Sequence, residues 1–187
     1  MQLARKEGWR SRAVFKLKEI VEKERLLKSG MLCIDLGSAP GGWSQFVSTS
    51  LKGRGRVIAL DILAMDAVPG VEFIQGDFTE DEALTRLADL LGEDRADLVI
   101  SDMAPNISGN KAVDQPRSMY LAELAMDFAV QNLARNGSFV CKLFQGEGTD
   151  AFIAAARTSF GKVKVLKPKA SRPGSSEIYL VARNYQL

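Results

Sequence analysis

Five charged residues stand against apolar sequence, and they raise the question of chemistry. Asp35, Asp61, Asp77 and Asp102 each close or interrupt a short apolar run, and Lys142 lies inside one, between Cys141 and Leu143. Four carboxylates at equivalent ends of apolar runs are acceptors for hydroxyl and amino groups of a ligand, although one of four could simply cap a helix. A lysine in a strand is rarely buried without a partner, so Lys142 calls for either a function or a salt bridge. The chain has no histidine. A histidine base, a Ser-His-Asp triad and histidine-rich metal sites are therefore excluded, and any proton transfer falls to lysine or a carboxylate.

The residues after Asp35 say what kind of ligand this is. Asp35–Trp43 reads DLGSAPGGW, fed by the apolar Met31–Ile34 and left by the helix-spaced Trp43, Phe46, Val47 and Leu51. That is strand, glycine-rich turn and helix start, the opening unit of a nucleotide-binding α/β domain. Its glycines are spaced G-x-x-x-G-G, not the G-x-G-x-x-G that seats a pyrophosphate, and Pro40 removes an N–H. A ligand without a pyrophosphate suits this turn better, and S-adenosylmethionine is the common one. Asp61 then accepts from ribose hydroxyls. Asp77 accepts from the adenine amino group, with Phe78 packing the base, and Asp102 lies nearest the reactive end. Asp35 orders the glycine turn through backbone N–H groups.

The elements that must position these groups alternate as in a doubly wound sheet. Residues 1–11 show no period, and Trp9 among Arg5, Lys6, Arg10 and Arg12 either stacks a base or anchors packing. An amphipathic helix runs from Arg12 to about Leu27, with Lys16 at the edge of its apolar face. Strands follow at Met31–Ile34, Arg56–Ile62, Val71–Asp77 and Ala96–Asp102, with a helix from Glu80 to Leu91 before the last. Asp114 is the expected cap, with Pro116 in the first turn, of a long helix reaching Arg135, stopped by Asn136-Gly137. A strand Ser138–Phe144 precedes a helix capped by Thr149 or Asp150 and ending near Phe160. The strands at Lys162–Lys167 and Glu177–Ala182 are nine residues apart, too close for a crossover, so they are antiparallel. If that hairpin edges the sheet beside Lys142, then Lys16, Asp102, Lys142 and Glu177 converge on one pocket mouth.

The expected fold is a Rossmann-like α/β fold: a seven-stranded, mostly parallel sheet with an antiparallel last strand and helices on both faces. At 187 residues and 46% hydrophobic content, residues 1–187 are enough for one domain. No apolar run is long enough to span a bilayer and no signal peptide is visible, so a cytoplasmic protein with no membrane partner is expected. Cys33 and Cys141 fall in central strands as buried thiols, outside any nucleophile or metal-ligand motif. Charge is uneven: net +5 over residues 1–28, −8 over 29–160 and +5 over 161–187. The basic ends suggest a polyanion-binding face, with residues 1–28 part of it.

Arg10–Lys16 (RSRAVFK), Asp35–Trp43, Ser101–Asn106 (SDMAPN), Lys142–Gly148 (KLFQGEG) and Ser175–Glu177 (SSE) together resemble the FtsJ-type ribosomal RNA 2′-O-ribose methyltransferases. The resemblance covers nearly the whole chain, in order, and implies that the Rossmann-like sheet is an S-adenosylmethionine-dependent methyltransferase fold. It implies a catalytic tetrad Lys16, Asp102, Lys142 and Glu177, and S-adenosylmethionine contacts at Gly41, Trp43, Asp61, Asp77 and Asp102. It also implies ribosomal RNA as partner, in the assembled large subunit, a uridine ribose as the target, and a monomer. Family members usually carry a short basic extension before the position of Gln2, which this chain does not show.

Chemically, transfer from a sulfonium to a 2′-oxygen is an in-line displacement needing alignment and loss of a proton. Lys142 serves either as base, which asks a lysine to titrate near roughly 7–8, or as the group that positions the hydroxyl. Asp102 and Glu177 orient the lysines. Rival readings fit less well. A base N-methyltransferase would show Asn/Asp-Pro-Pro-aromatic after the fourth strand, and a cytosine C5-methyltransferase a loop cysteine. The glycine spacing disfavours a dehydrogenase. A noncatalytic RNA-binding or ribosome-assembly module would not need Lys142, and another RNA such as tRNA is the alternative substrate.

Overall fold

The computed structural model describes residues 2–187, and the order of its strands explains why distant residues meet. Seven strands form one sheet: β1 (Leu32–Leu36), β2 (Arg56–Asp61), β3 (Val71–Gln75), β4 (Ala96–Ser101), β5 (Leu133–Phe144), β6 (Phe160–Leu166) and β7 (Glu177–Tyr185). Their spatial order is β3-β2-β1-β4-β5-β7-β6. The first five are parallel, and β7 runs antiparallel between β5 and β6. Strand order reverses between β1 and β4, where open α/β sheets bind ligands beyond the strand carboxyl ends. Because β7 runs the other way, its first residue, Glu177, lies at that same edge, paired with Phe144 at the end of β5.

The helices are α1 (Gln2–Lys6), α2 (Val14–Glu24), α3 (Gly42–Leu51), α4 (Asp81–Leu91), α5 (Lys111–Asn132) and α6 (Thr149–Ser159). Both faces of the sheet are covered, which is why the central strands are mostly apolar. Val14, Leu17, Ile20, Trp43, Phe46 and Val47 of α2 and α3 pack on one face, against Cys33, Leu98, Ile100, Val140 and Tyr179. Leu87 of α4, Phe128 of α5 and Phe152 of α6 pack on the other, against Ile34, Val99, Phe139 and Cys141. Both cysteines are buried free thiols, pushed up to about 12 chiefly by burial. Among the described residues no helix is long and apolar enough to cross a membrane.

Several boundaries differ from the sequence expectation; a short helix, α1, forms where the sequence shows no period, and Gly148, not Thr149 or Asp150, stands at the N-cap of α6. The first long helix spans Val14–Glu24, because Arg25 turns left-handed (φ 51°) and ends it before Leu27. Asn110, not Asp114, caps α5, its side chain accepting from the Ala112 N–H. Asp114 instead accepts from the Ser108 N–H and hydroxyl and the Gly109 N–H, knitting together the loop that leads into the helix. Asn136-Gly137 does not stop α5, which ends at Asn132; the pair lies within β5, where the register with β4 shifts between Ala96 and Leu98. Leu133, fully buried, draws the strand in earlier than turn residues suggest.

Candidate active site

Lys16, Asp102, Lys142 and Glu177, drawn from the first turn of α2, the residue after β4, the interior of β5 and the first residue of β7, meet at the sheet edge. The Lys16 ammonium lies 2.6 Å from Glu177 Oε1, and the Lys142 ammonium lies 3.2 Å from Asp102 Oδ1. These are two lysine–carboxylate pairs joined by a residue the sequence reading missed. The Tyr179 hydroxyl lies 3.0 Å from Asp102 Oδ1 and 3.1 Å from Glu177 Oε1. Tyr179 is fully buried and pairs with Lys142 across the β5–β7 ladder. Its signal was available: it stands two residues after Glu177, hence on the same face of the strand.

The electrostatics follow from burial and pairing. Burial raises the Asp102 carboxyl above the ordinary range, although Lys142 and Tyr179 pull it down. Burial also works to raise Glu177, but hydrogen bonding to Lys16 and the charges of Lys142 and Lys16 outweigh it, leaving Glu177 below the ordinary range. Tyr179 is raised far above its usual value by burial and by the two carboxylates, so it stays a neutral donor. The Lys142 and Lys16 side chains keep 12% and 20% exposure, so neither is sealed from solvent.

Beyond β1 and β2 the edge where strand order reverses, the expected ligand cleft of an open α/β sheet, has a different character. Asp61 accepts at both oxygens, from the Ala39 N–H at 2.8 Å and the Leu63 N–H at 2.8 Å, so it fixes the glycine turn to the end of β2. Asp77 Oδ1 accepts from the Thr79 N–H and hydroxyl, which hold the carboxyl below its ordinary range. Gly37 is needed for close approach, since a Cβ there would sit 2.6 Å from the Met103 side chain, and Gly41 takes φ 112° at the start of α3. This cleft offers carboxylate acceptors and bare backbone, a set that fits the hydroxyls, amino group and sulfonium of S-adenosylmethionine.

Not every expected contact faces the cleft. Trp43 is 3% exposed, donates its indole N–H to Ala13 O and packs against Tyr179, so it has only backbone to offer a ligand. Phe78 does not flank the cleft: its ring packs edge-on against Phe128 at 5.7 Å, drawn under α5 by the core. The exposed apolar surface at that end is Ile62 and Leu63, which the sequence reading missed. Asp35 orders the turn differently than expected. It accepts the Ser44 hydroxyl at 2.7 Å rather than loop N–H groups, its Oδ1 has no partner among the described residues, and burial lifts it to about 7. Trp9 is a packing anchor, edge-on to Phe46 at 5.9 Å.

Comparisons with known proteins agree with this fold. The pattern of the FtsJ-like methyltransferase family matches residues 9–185. The chain is 58% identical over 183 residues to the ribosomal RNA large subunit methyltransferase E of Dichelobacter nodosus, covering 97% of this chain and 87% of the relative. It is 55% identical to the protein of the same name from Legionella pneumophila strain Corby, covering 98% and 89%. A crystal structure of a putative ribosomal RNA methyltransferase from Plasmodium falciparum superposes with a TM-score of 0.86 at 31% identity, covering 95% of this chain and 98% of that one. The doubly wound sheet, the glycine turn and nearly the whole chain fall within one family, and this protein belongs to the FtsJ-like methyltransferases.

Proposed function

We propose that this methyltransferase methylates the ribose 2′-hydroxyl of a uridine in large-subunit ribosomal RNA, acting as a cytoplasmic monomer on the assembled subunit. The observation that carries the reading is the Lys142–Asp102 pair, a cation in a buried strand at the mouth of a glycine-lined cleft. The name shared by the relatives supports the choice of RNA. S-adenosylmethionine supplies the electrophilic methyl group when bound.

The chain's own residues do the rest. The turn around Gly41 and the backbone at Trp43 bring main chain close to the cofactor. Asp61 accepts from its ribose, Asp77 from its adenine, and Ile62 and Leu63 offer the base an apolar surface in place of Phe78. Asp102 closes the cleft at its reactive end. Lys142 meets the 2′-oxygen, while Asp102 and Glu177 hold Lys142 and Lys16 at fixed angles through Tyr179. Alignment of oxygen and methyl is the larger part of the rate, because a bound in-line pair avoids the entropy of a bimolecular encounter.

The test is methylation of purified large ribosomal subunits with radiolabelled cofactor, followed by alkaline hydrolysis. A 2′-O-methyl group blocks cleavage at its own linkage. Label in one alkali-resistant dinucleotide beginning with uridine is the expected result. Label on a base, or at many positions, would sink the reading.

A further inference from the structure

A cavity of about 660 Å³ opens beside the tetrad, on the side away from Asp61 and Asp77. Its lining includes Ile107, Gln115, Phe144, Gly146 and Ser176. Phe144 links it to the site: the Lys142 ammonium is 5.8 Å from the ring centroid, and Phe144 pairs with Glu177. Ile107, 65% exposed, adds a second apolar surface.

The polar wall is fixed rather than mobile. Gln115 Nε2 donates to Phe144 O at 2.9 Å and Glu147 O at 3.0 Å, so both amide protons are used and the orientation of the amide is set. Its Oε1 receives no donor among the described residues. Gly146 lets the turn lie flat on that amide, since a Cβ there would meet Gln115 at 3.0 Å. The Gln145 N–H donates to Ser176 O, and the Thr149 hydroxyl donates to Phe144 O, tying the turn to β7 and α6.

We infer that this cavity receives the base of the target nucleotide, with Phe144 as its stacking face and Gln115 as the residue that selects uracil. This rests on the ribose-methylation reading above. A ribose held at Lys142 carries its base about one ring-length away, and unpaired bases are recognised by stacking on aromatic rings and hydrogen bonding at their edges. A carbonyl oxygen locked with no protein donor accepts the N3–H of uracil. Cytosine presents an acceptor at N3, which would face Gln115 Oε1 lone pair to lone pair.

Binding of penta-uridylate and penta-cytidylate, followed by fluorescence anisotropy at about 0.3 M salt to suppress phosphate contacts, tests the assignment. The wild-type protein should favour uridylate by about tenfold. Gln115→Leu should erase the preference by weakening uridylate alone, and Phe144→Leu should weaken both by about tenfold or more. Equal wild-type affinities, or a preference that survives Gln115→Leu, overturns the proposal. Because Gln115 also braces the turn, a penta-uridylate carrying 4-thiouridine is cross-linked to the wild-type protein. Attachment within residues 107–116 or 144–147 supports the cavity, and attachment elsewhere overturns it. These readouts need no methyl transfer. A wild-type protein with no preference but intact ribose methylation sinks the base pocket alone, and an intact wild-type preference without ribose methylation sinks the reaction reading alone.

Discussion

The two halves of the sheet's carboxyl edge hold their carboxylates in opposite ways. At β2 and β3, Asp61 and Asp77 are anchored by backbone N–H groups, most within two residues of themselves. At β4 and β7, Asp102 and Glu177 are held by lysines far away in sequence, Lys16 lying 161 residues from Glu177. Backbone donors leave a carboxylate its negative charge and spare lone pairs, which suits a ligand that donates hydrogen bonds. Lysine partners neutralise the carboxylates and leave ammonium groups facing the cleft, which suits an oxygen that must be gripped and deprotonated. In the function proposed above, the first half holds the cofactor and the second reacts.

The strongest way to break that division is at Lys142. Lys142→Ala should keep the fold and cofactor affinity at a cost in melting temperature, because Asp102 is left buried without its partner. Single-turnover methyl transfer at saturating RNA and cofactor should fall by about 10²-fold or more. Lys142→Arg sharpens the result, since arginine keeps the charge but cannot serve as a base. An Arg variant as slow as Ala assigns the base role, and one that retains substantial rate assigns positioning. Wild-type rates in both would falsify a reacting half.

On the holding side, Asp61→Ala and Asp77→Ala should weaken S-adenosylmethionine binding by roughly 1.5–3 kcal/mol each, from loss of charge-assisted hydrogen bonds. Asp61→Ala should be the worse of the two, because Asp61 also fixes Ala39 in the glycine turn whereas Asp77 fixes only its neighbour Thr79. Calorimetric titration gives both affinities. Equal losses would mean that the turn is held without Asp61.

The same contrast governs what the sequence made legible. Asp61 and Asp77 could be read directly, because a strand end and its local N–H donors are encoded side by side. Lys142 was legible only as an anomaly, a cation in an apolar run. Tyr179 was not read at all: tyrosine in a strand is ordinary, and its role depends on β7 sliding between β5 and β6. Phe78 failed for a related reason, since adjacency to Asp77 says nothing about which side of the sheet α5 occupies. The fold itself was legible because strand and helix periods alternate cleanly, while the boundary errors fell where a buried residue such as Leu133 overrode turn chemistry.

Asp35 belongs to neither half and tests the cost of a carboxylate without enough partners. Its folded value, about 7, lies above the roughly 3.9 of an unfolded aspartate. The folded state therefore binds the proton more tightly, so this group's stabilisation is full below about pH 4 and is lost as pH rises through 7. Asp35→Asn keeps an oxygen for the Ser44 hydroxyl but cannot ionise. Its melting temperature should exceed that of wild type by a few degrees at pH 7.5, with the gap closing toward pH 5. Parallel curves from scanning calorimetry would show that Asp35 does not titrate in this range.

The smallest expected effect concerns the basic ends, where cations that look alike in sequence differ in structure. Arg10 is spent internally: its guanidinium donates to Asp66 O and Ala67 O at 2.5 Å and to Pro40 O at 3.3 Å, strapping the N-terminal segment to the glycine turn. Lys167 is spent likewise, donating to Ser175 O and to Glu177 O at 2.6 Å. Arg12 and Lys169 are exposed, and no side-chain hydrogen bond or ion pair holds them among the described residues. If the RNA face is made by the solvent-facing cations, Arg12→Glu with Lys169→Glu should weaken RNA binding and flatten its log–log salt slope by about 0.7 per lost phosphate contact. Cofactor affinity should be unchanged. Arg10→Ala should do the reverse, leaving the salt slope nearly intact while lowering cofactor affinity, because the glycine turn loses its strap. A salt slope that responds to Arg10 and not to Arg12 or Lys169 would move the RNA face to the cleft mouth and away from the exposed ends of the chain.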